Sequence, residues 1–443
     1  MSLATHILNC ALASALLSAP LLGQDEARPK GFEGMDADGR IERPELPDDI
    51  KHPERWRYTP PGRIVPGNIF ERFLITTFFT PLIFRADDVG TGGGVAVTDI
   101  DFRNQDYQEF ASIALTYTSE GQQAYTLGWI RWLHHQKLEN GGIIREDRSQ
   151  LGGIVGYTNT LTRRFYGTGS RTPESGESSY SEALSQIGFG IRQTYPDPGD
   201  NIVLGAGVLF ERHDLGRGRA TDVPTTGTSY PTEFAAGREV SQLWTRLNLA
   251  YDSRDSVHQP YRGSRLGLST RTAVLQTDSD FGGRLTLDAQ QVIAMPSLFH
   301  FGGRGNEENP PTDVLTLSGF VADTHGELPY YSLPSLGGNT LRGYGTNRFT
   351  DRAAAYGSLE YRVGVVPRGI TFTDRIRIER INLALFYDFG TVAEDLEGLS
   401  HSRYLDSYGL GLHISFSREA SFRIDYGFSD EGGNLTIGFG TSQ

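Results

Sequence analysis

The residues best placed to do chemistry lie in Leu336-Gly337-Gly338-Asn339-Thr340-Leu341-Arg342-Gly343-Tyr344. The chemistry on offer is ion pairing and not bond making. Arg342 carries a permanent charge on a planar fork of donors, so a buried place for it requires an anionic partner. Gly337 and Gly338 permit backbone angles that a side chain forbids. Gly343-Tyr344 then sets a ring at a tight bend. Taken alone, the stretch reads as a glycine-rich surface turn, and its setting has to decide. The histidines offer less. His134-His135 follows Trp132-Leu133 at a strand end, a place for interfacial side chains more than for a metal. His413 sits among small residues on an inward-facing register and is the histidine to watch. The chain has no Gly-x-Ser-x-Gly, no His-Glu-x-x-His and no phosphate-binding glycine loop. No catalytic residue, metal ligand or cofactor is expected, and the reading is of a protein that is not an enzyme.

Composition bounds the class. The chain has 443 residues with 54 glycines, 20 tyrosines, 24 phenylalanines and a net charge of −13. That charge argues against a nucleic-acid partner. Mean hydropathy is −0.36, and beyond the N-terminus no stretch is apolar enough for a spanning helix. A polar average with abundant glycine and aromatic residues fits a transmembrane β-barrel, polar inside and apolar outside. It also fits a soluble β-sandwich. The apolar run Ile7 to Gly23 reads as a signal peptide over residues 1–24, with cleavage between Ala19 and Gln24, although a basic leader segment is missing. Its removal would take with it Cys10, the one cysteine, and leave no disulfide framework. Residues 25–78 are charged and Pro-rich and read as a periplasmic linker. Within them, Asp36-Ala37-Asp38-Gly39-Arg40-Ile41-Glu42 resembles part of a calcium loop. The first ligand position falls on Gly34, so a solvated acidic linker is the better reading.

The elements that must position Arg342 are strands. From residue 79 onward apolar and polar residues alternate, the signature of half-buried strands. Leu243, Thr245, Leu247, Leu249 and Tyr251 alternate with Trp244, Arg246, Asn248, Ala250 and Asp252. Ile381, Leu383, Leu385, Tyr387 and Phe389 alternate with Asn382, Ala384, Phe386, Asp388 and Gly390. One face is greasy and the other small, polar or charged, the arrangement a membrane barrel demands. The runs predict sixteen strands, over 79–86, 92–103, 109–118, 122–134, 149–160, 180–194, 200–213, 239–252, 262–276, 280–295, 312–323, 353–366, 378–392, 404–417, 420–428 and 433–441. Outer-membrane barrels put their long loops on one side. The long connections 161–179, 214–238 and 324–352 all follow odd-numbered strands, with 135–148 and 296–311 as exceptions. The expected fold is all-β, a single transmembrane antiparallel β-barrel of about sixteen strands over residues 79–443.

At this point the chain resembles the BamA/TamA superfamily of outer-membrane assembly and translocation barrels, which includes the bacterial surface-antigen barrels. The most specific match is Gly337-Gly338 with Leu341-Arg342-Gly343-Tyr344, similar to that family's sixth-loop signature and placed after the eleventh strand. Arg164-Phe165-Tyr166-Gly167-Thr168-Gly169, Asp252-Ser253-Arg254-Asp255, Leu359-Glu360-Tyr361-Arg362, Phe386-Tyr387-Asp388-Phe389-Gly390-Thr391-Val392 and Asp425-Tyr426-Gly427 follow the family's order.

The resemblance implies that the extracellular loop folds back into the barrel and that its arginine meets acidic, glycine-flanked positions on the inner wall. By alternation Asp388, Gly390 and Glu360 face inward. Arg342 is therefore expected to pair with Asp388, with Glu360 or Asp425 as further partners, and Gly390 to leave room for Tyr344 or the loop backbone. It implies a place in the bacterial outer membrane and contact with its lipid. Unfolded polypeptide clients or a periplasmic partner follow from the same resemblance, with assembly or translocation achieved without catalysis. Two departures matter. The linker is too short for the POTRA repeats of better-known members, and the chain closes on Phe439-Gly440-Thr441-Ser442-Gln443 instead of an aromatic residue. They keep a second reading open, a passive porin-like channel or structural surface barrel. Pro81, on the first strand, removes a ladder donor and points to a weak seam between the first and last strands.

Overall fold

The computed structural model describes residues 40, 45–59, 61, 64, 76–277, 281–305, 307, 309–373, 376–417 and 420–439. The expected signal peptide, most of the linker, most of the calcium-loop-like segment and the last four residues lie outside these. Sixteen strands close into one antiparallel barrel. They are β1 (Thr77–Ala86), β2 (Gly90–Asp99), β3 (Glu109–Thr118), β4 (Gln123–Trp132), β5 (Gln150–Phe165), β6 (Ser178–Tyr195), β7 (Ile202–Arg217) and β8 (Glu239–Asp252). The second half adds β9 (Gly263–Gln276), β10 (Gly282–Met295), β11 (Asp313–Gly326), β12 (Ala353–Val366), β13 (Arg380–Ala393), β14 (Leu405–Ser417), β15 (Ala420–Ser429) and β16 (Gly432–Phe439).

The period-two pattern becomes two surfaces. On β8, Leu247 and Leu249 are 59% and 51% exposed, whereas the inward Trp244 and Ala250 are 1% and 3% exposed. Ile187 and Phe189 on β6, Leu285 and Leu287 on β10, and Leu383 and Leu385 on β13 are exposed in the same way. A continuous greasy outer surface of this extent belongs against hydrocarbon and not water. Closure leaves every strand paired on both sides, which a lipid-facing backbone needs.

The ladder is uneven. Neighbouring strands elsewhere pair over eight or more residues, for instance Thr77–Ala86 with Gly90–Asp99. Among the described residues the closing pair β1–β16 shares the single register pair Arg85↔Ile437. Pro81, opposite Val95 of β2, lies on this seam strand. The barrel's two ends also differ. The connection between β11 and β12 is the longest, and it enters the lumen from the end where odd-numbered strands finish, called here the loop end.

At the opposite end, part of the expected linker is structured. Trp56–Thr59 adds to the hairpin His135–Lys137 and Ile143–Glu146 as a three-stranded sheet. That hairpin accounts for the long connection 135–148 that broke the loop-length rule. Arg57 pairs with Asp147 at 2.7 Å, and Arg55 donates to Asn201 Oδ1 at 2.7 Å and to the Gly199 carbonyl. Glu307, in the other long exception, pairs with Arg368 at 2.8 Å.

Candidate functional site: the inward loop and its wall

The loop after β11 turns back on itself because its glycines allow it. Gly337 and Gly338 have φ of +119° and +67°. A Cβ on Gly337 would stand 2.1 Å from the Gly345 carbonyl oxygen, so only glycine fits. Ser335–Leu336 pairs with Phe349–Thr350, closing the base of the turn. The Gly338 amide donates to the Tyr344 carbonyl at 2.9 Å. Leu336, Leu341, Tyr344 and Phe349 are buried together against Ala354, Val392 and Leu405 of the wall. The loop thus has an apolar core of its own, shared with β12 to β14.

Arg342 is the centre of the docked loop, 2% exposed. Its Nε and Nη2 donate to the two oxygens of Asp388 at 2.9 and 2.8 Å, a fork matched to a carboxylate. Its Nη1 donates to Glu360 Oε2 at 2.6 Å, and its backbone amide to Asp388 Oδ2 at 3.2 Å. Ser358 Oγ and Tyr356 OH also donate to Asp388 Oδ1, at 2.7 and 3.3 Å. The guanidinium lies 3.5 Å from the ring centre of Phe386. Burial works against the charge on Arg342, and the bond to Asp388 and the charge of Glu360 outweigh it, holding its pKa well above the ordinary arginine value. Removing one partner of such a buried pair costs about 3–5 kcal/mol, and the ring contact adds roughly 0.5–2 kcal/mol.

Three placements differ from the sequence reading. Asp425 does not touch Arg342: Arg423, on the same face of the same strand, and His413 Nε2, at 3.2 Å across the β14–β15 pair, occupy its oxygens. Gly390 makes room for Leu336, whose Cδ1 would stand 2.9 Å from a Cβ there, and not for Tyr344 or loop backbone. Tyr344 instead donates its hydroxyl to Asp430 Oδ1 at 2.5 Å. The backbone approach is made elsewhere. A Cβ on Gly427 would lie 2.5 Å from the Arg342 carbonyl carbon, and one on Gly343 would lie 2.5 Å from the Phe428 oxygen. These two glycines let the loop lie flat on β15.

Several residues escaped the sequence reading. Arg348, six positions beyond Arg342, is also 2% exposed. It forks onto Glu431 at 2.7 Å through Nε and Nη2 and donates to the Thr172 carbonyl at 2.8 Å. Tyr166 and Phe349 hold it between their rings, at 4.6 and 4.5 Å. Thr346 donates its amide to Asp87, in the β1–β2 turn, at 2.9 Å. Asn434 of β16 donates to the carbonyls of Arg342 and Tyr344 at 3.2 and 3.0 Å. The loop therefore binds both sides of the weak seam, the β1–β2 turn on one flank and β15–β16 on the other. A second charged residue in one loop was the available signal for Arg348; nothing in the sequence marks Asp87 or Asn434.

The histidines fall into structural places. His413 is held by Asp425, and His135 Nε2 lies 2.8 Å from the Asp106 carbonyl oxygen. Among the described residues no group of three or more His, Cys, Asp and Glu could hold a metal ion.

Comparison with known proteins follows the same lines. The Omp85 superfamily domain matches residues 108–443. No curated protein matches the chain. Among solved structures, BamA from Haemophilus ducreyi lacking POTRA domains 1–3 is similar with a TM-score of 0.52 at 13% identity, over 83% of this chain and 70% of that one. CdiB from Acinetobacter baumannii is similar with a TM-score of 0.50 at 10% identity, over 97% of this chain and 74% of that one. At these identities the structural likeness is one of fold.

Proposed function

Because the chain belongs to the Omp85 superfamily of outer-membrane assembly and translocation barrels, we propose that it handles polypeptide at the β1–β16 seam, with the loop 327–352 as the clasp that keeps the seam shut. Its place is the bacterial outer membrane, its surroundings are outer-membrane lipid, and its clients are unfolded polypeptides. It works by strand pairing and loop movement, with no bond made or broken.

One observation carries this reading. Among the described residues the seam shares a single register pair, while the loop bonds to Asp87 on one flank and to Asn434 and Asp430 on the other. A seam held by a removable clasp opens at little cost in ladder hydrogen bonds, and an opened edge is a template for a client strand. The Arg342 pair, worth about 3–5 kcal/mol to break, sets how firmly the clasp holds.

The test is to lock the seam. Cysteines at Arg85 and Ile437, which face each other, are introduced with Cys10 changed to alanine. In liposomes the oxidised barrel is expected to lose insertion of an unfolded small outer-membrane barrel chain, and the reductant to restore it. Undiminished insertion by the locked protein would overturn the seam reading.

A second reading, a passive channel, is favoured by one feature: the lumen wall away from the loop carries exposed Arg246. Single-channel conductance separates the two. A small, flickering conductance that grows in Arg342→Ala supports the clasp; a large, steady conductance indifferent to that change supports the channel.

A further inference from the structure

The inward faces of β8, β9 and β10 carry an arrangement that the loop and the seam do not use. Arg246 pairs in register with Arg271, and Arg271 with Arg284. Three guanidinium-bearing residues therefore stand in one row across three adjacent strands, neighbours about 5 Å apart at the backbone. Like charges directly opposite each other destabilise a sheet, so such a row calls for compensation. Among the described residues it is incomplete. Arg271 meets Glu211, which also lies 3.7 Å from His213 Nε2. Among the described residues Arg246 and Arg284 have no ion pair, and the charges that act on Arg284 are the other two arginines. The next acid–base pair down the wall, Arg265 with Asp288, is already matched.

The row is built and accessible. The Arg271 guanidinium lies 4.1 Å from the ring centre of the buried Trp244, which fixes its plane. Beside Arg246 stand Gly207 and, two residues on, Gly205, which leave β7 without side chains there. One row toward the opposite end from the loop, Asn248, Ser269 and Thr286 pair in register and offer amide and hydroxyl donors. Arg246 is exposed to the lumen.

We propose that this wall is a binding site for a multivalent oxyanion of the phosphate type. Guanidinium forks match tetrahedral oxyanions in a bidentate way, and a row of them spans more than one such group. Rings and rows of arginine serve this purpose in anion-selective pores generally. The ligand comes from water and not from lipid: β8 to β10 lie half-way round the ring from the seam, and each is paired along both edges, so the lumen face has no opening to lipid there.

The full-length refolded barrel in detergent tests this, with inorganic pyrophosphate as the probe and sodium chloride at equal ionic strength as the reference. Pyrophosphate is expected to raise the unfolding temperature of the wild type by about 2–4 °C beyond chloride at several times its dissociation constant. In Arg246→Gln/Arg284→Gln the half-saturating concentration is expected to rise at least about tenfold. Without multivalent anion the same variant is expected to unfold at a higher temperature than wild type, because the repulsion is gone. Should the double variant fail to refold, Arg284→Gln alone carries both readings. No shift beyond chloride in the wild type, or an unchanged half-saturating concentration in the variant, overturns the site.

Discussion

Two walls of the same lumen treat arginine in opposite ways. On β12 and β13 the wall supplies carboxylates, Glu360 and Asp388, and the arginine arrives from the loop. On β8 to β10 the wall supplies the arginines, and one carboxylate, Glu211, answers them. The first is a closed account of charge: Arg342 is 2% exposed, every one of its donor nitrogens has a partner, and a ring covers its face. The second is open, with Arg246 exposed and Arg284 without an acidic partner among the described residues. Matched, buried charge fixes a segment in place, because separating it leaves an ion without solvent. Unmatched, wet charge fixes nothing and is available to something mobile. The difference separates the part of the lumen that is structure from the part that is free to bind.

The largest expected effect comes from unbalancing the closed wall. Arg342→Ala leaves Asp388 and Glu360 buried against each other and should cost about 3–5 kcal/mol of loop docking, read as trypsin cleavage at Arg348, which is shielded when the loop is docked. A loop as resistant as wild type would mean that Arg348 and the apolar cluster hold it without the pair. Next is Gly427→Ala. Its Cβ would meet the Arg342 backbone at 2.5 Å, and overpacking of this kind costs about 1–3 kcal/mol. The same cleavage assay should show partial exposure, with Asp388 and Glu360 intact. Phe386→Leu keeps the apolar bulk beneath the guanidinium and removes the ring charge distribution, for a loss of about 0.5–2 kcal/mol. On the open wall the sign reverses. Arg284→Gln should raise stability, by roughly 0.2–1 kcal/mol, in urea unfolding at low salt, and the gain should shrink as salt screens the repulsion.

The strands were legible because alternation is a local property, and each of the sixteen has an observed counterpart. Boundaries drifted where the chain leaves the pattern. The second strand stops at Asp99, where Phe102–Asn104 forms a tight turn with Arg103 at φ 59°. The fifth runs on to Phe165 through a register shift between Thr160 and Arg163, and such a bulge hides the alternation beyond it. The strand Trp56–Thr59 was missed because four residues in a charged, Pro-rich segment carry no pattern. In the loop, Arg342 and Asp388 were legible as a charged bend and an inward carboxylate. The exclusion of Asp425 was not, since it depends on Arg423 and His413 reaching that carboxylate first. The arginine row lay furthest from view. Alternation places Arg246 on the inward face, but its alignment with Arg271 and Arg284 depends on register across two strand pairs, which no single strand encodes.

The smallest effect sharpens the contrast through pH. The Tyr344 hydroxyl, and after it Arg403, hold the Asp430 carboxyl below the usual carboxylate range. A group with a lowered folded pKa contributes above its unfolded value, about 3.9, and that contribution is lost as pH falls through the lower folded value. Between pH 7 and about 5 the Tyr344 anchor should therefore be unchanged, and below about pH 4 it should loosen. The arginines of the open wall keep their charge throughout. Loop cleavage by an acid-tolerant protease should rise below about pH 4 in the wild type. Tyr344→Phe should already show the raised level at neutral pH, with a smaller acid step. An equal acid step in the variant would place the titrating group elsewhere in the loop, and the tyrosine anchor would then be only a packing contact. Because Arg342 stays bound to its partners in Tyr344→Phe, the variant isolates the bond to the exposed Asp430 from the buried carboxylate pair.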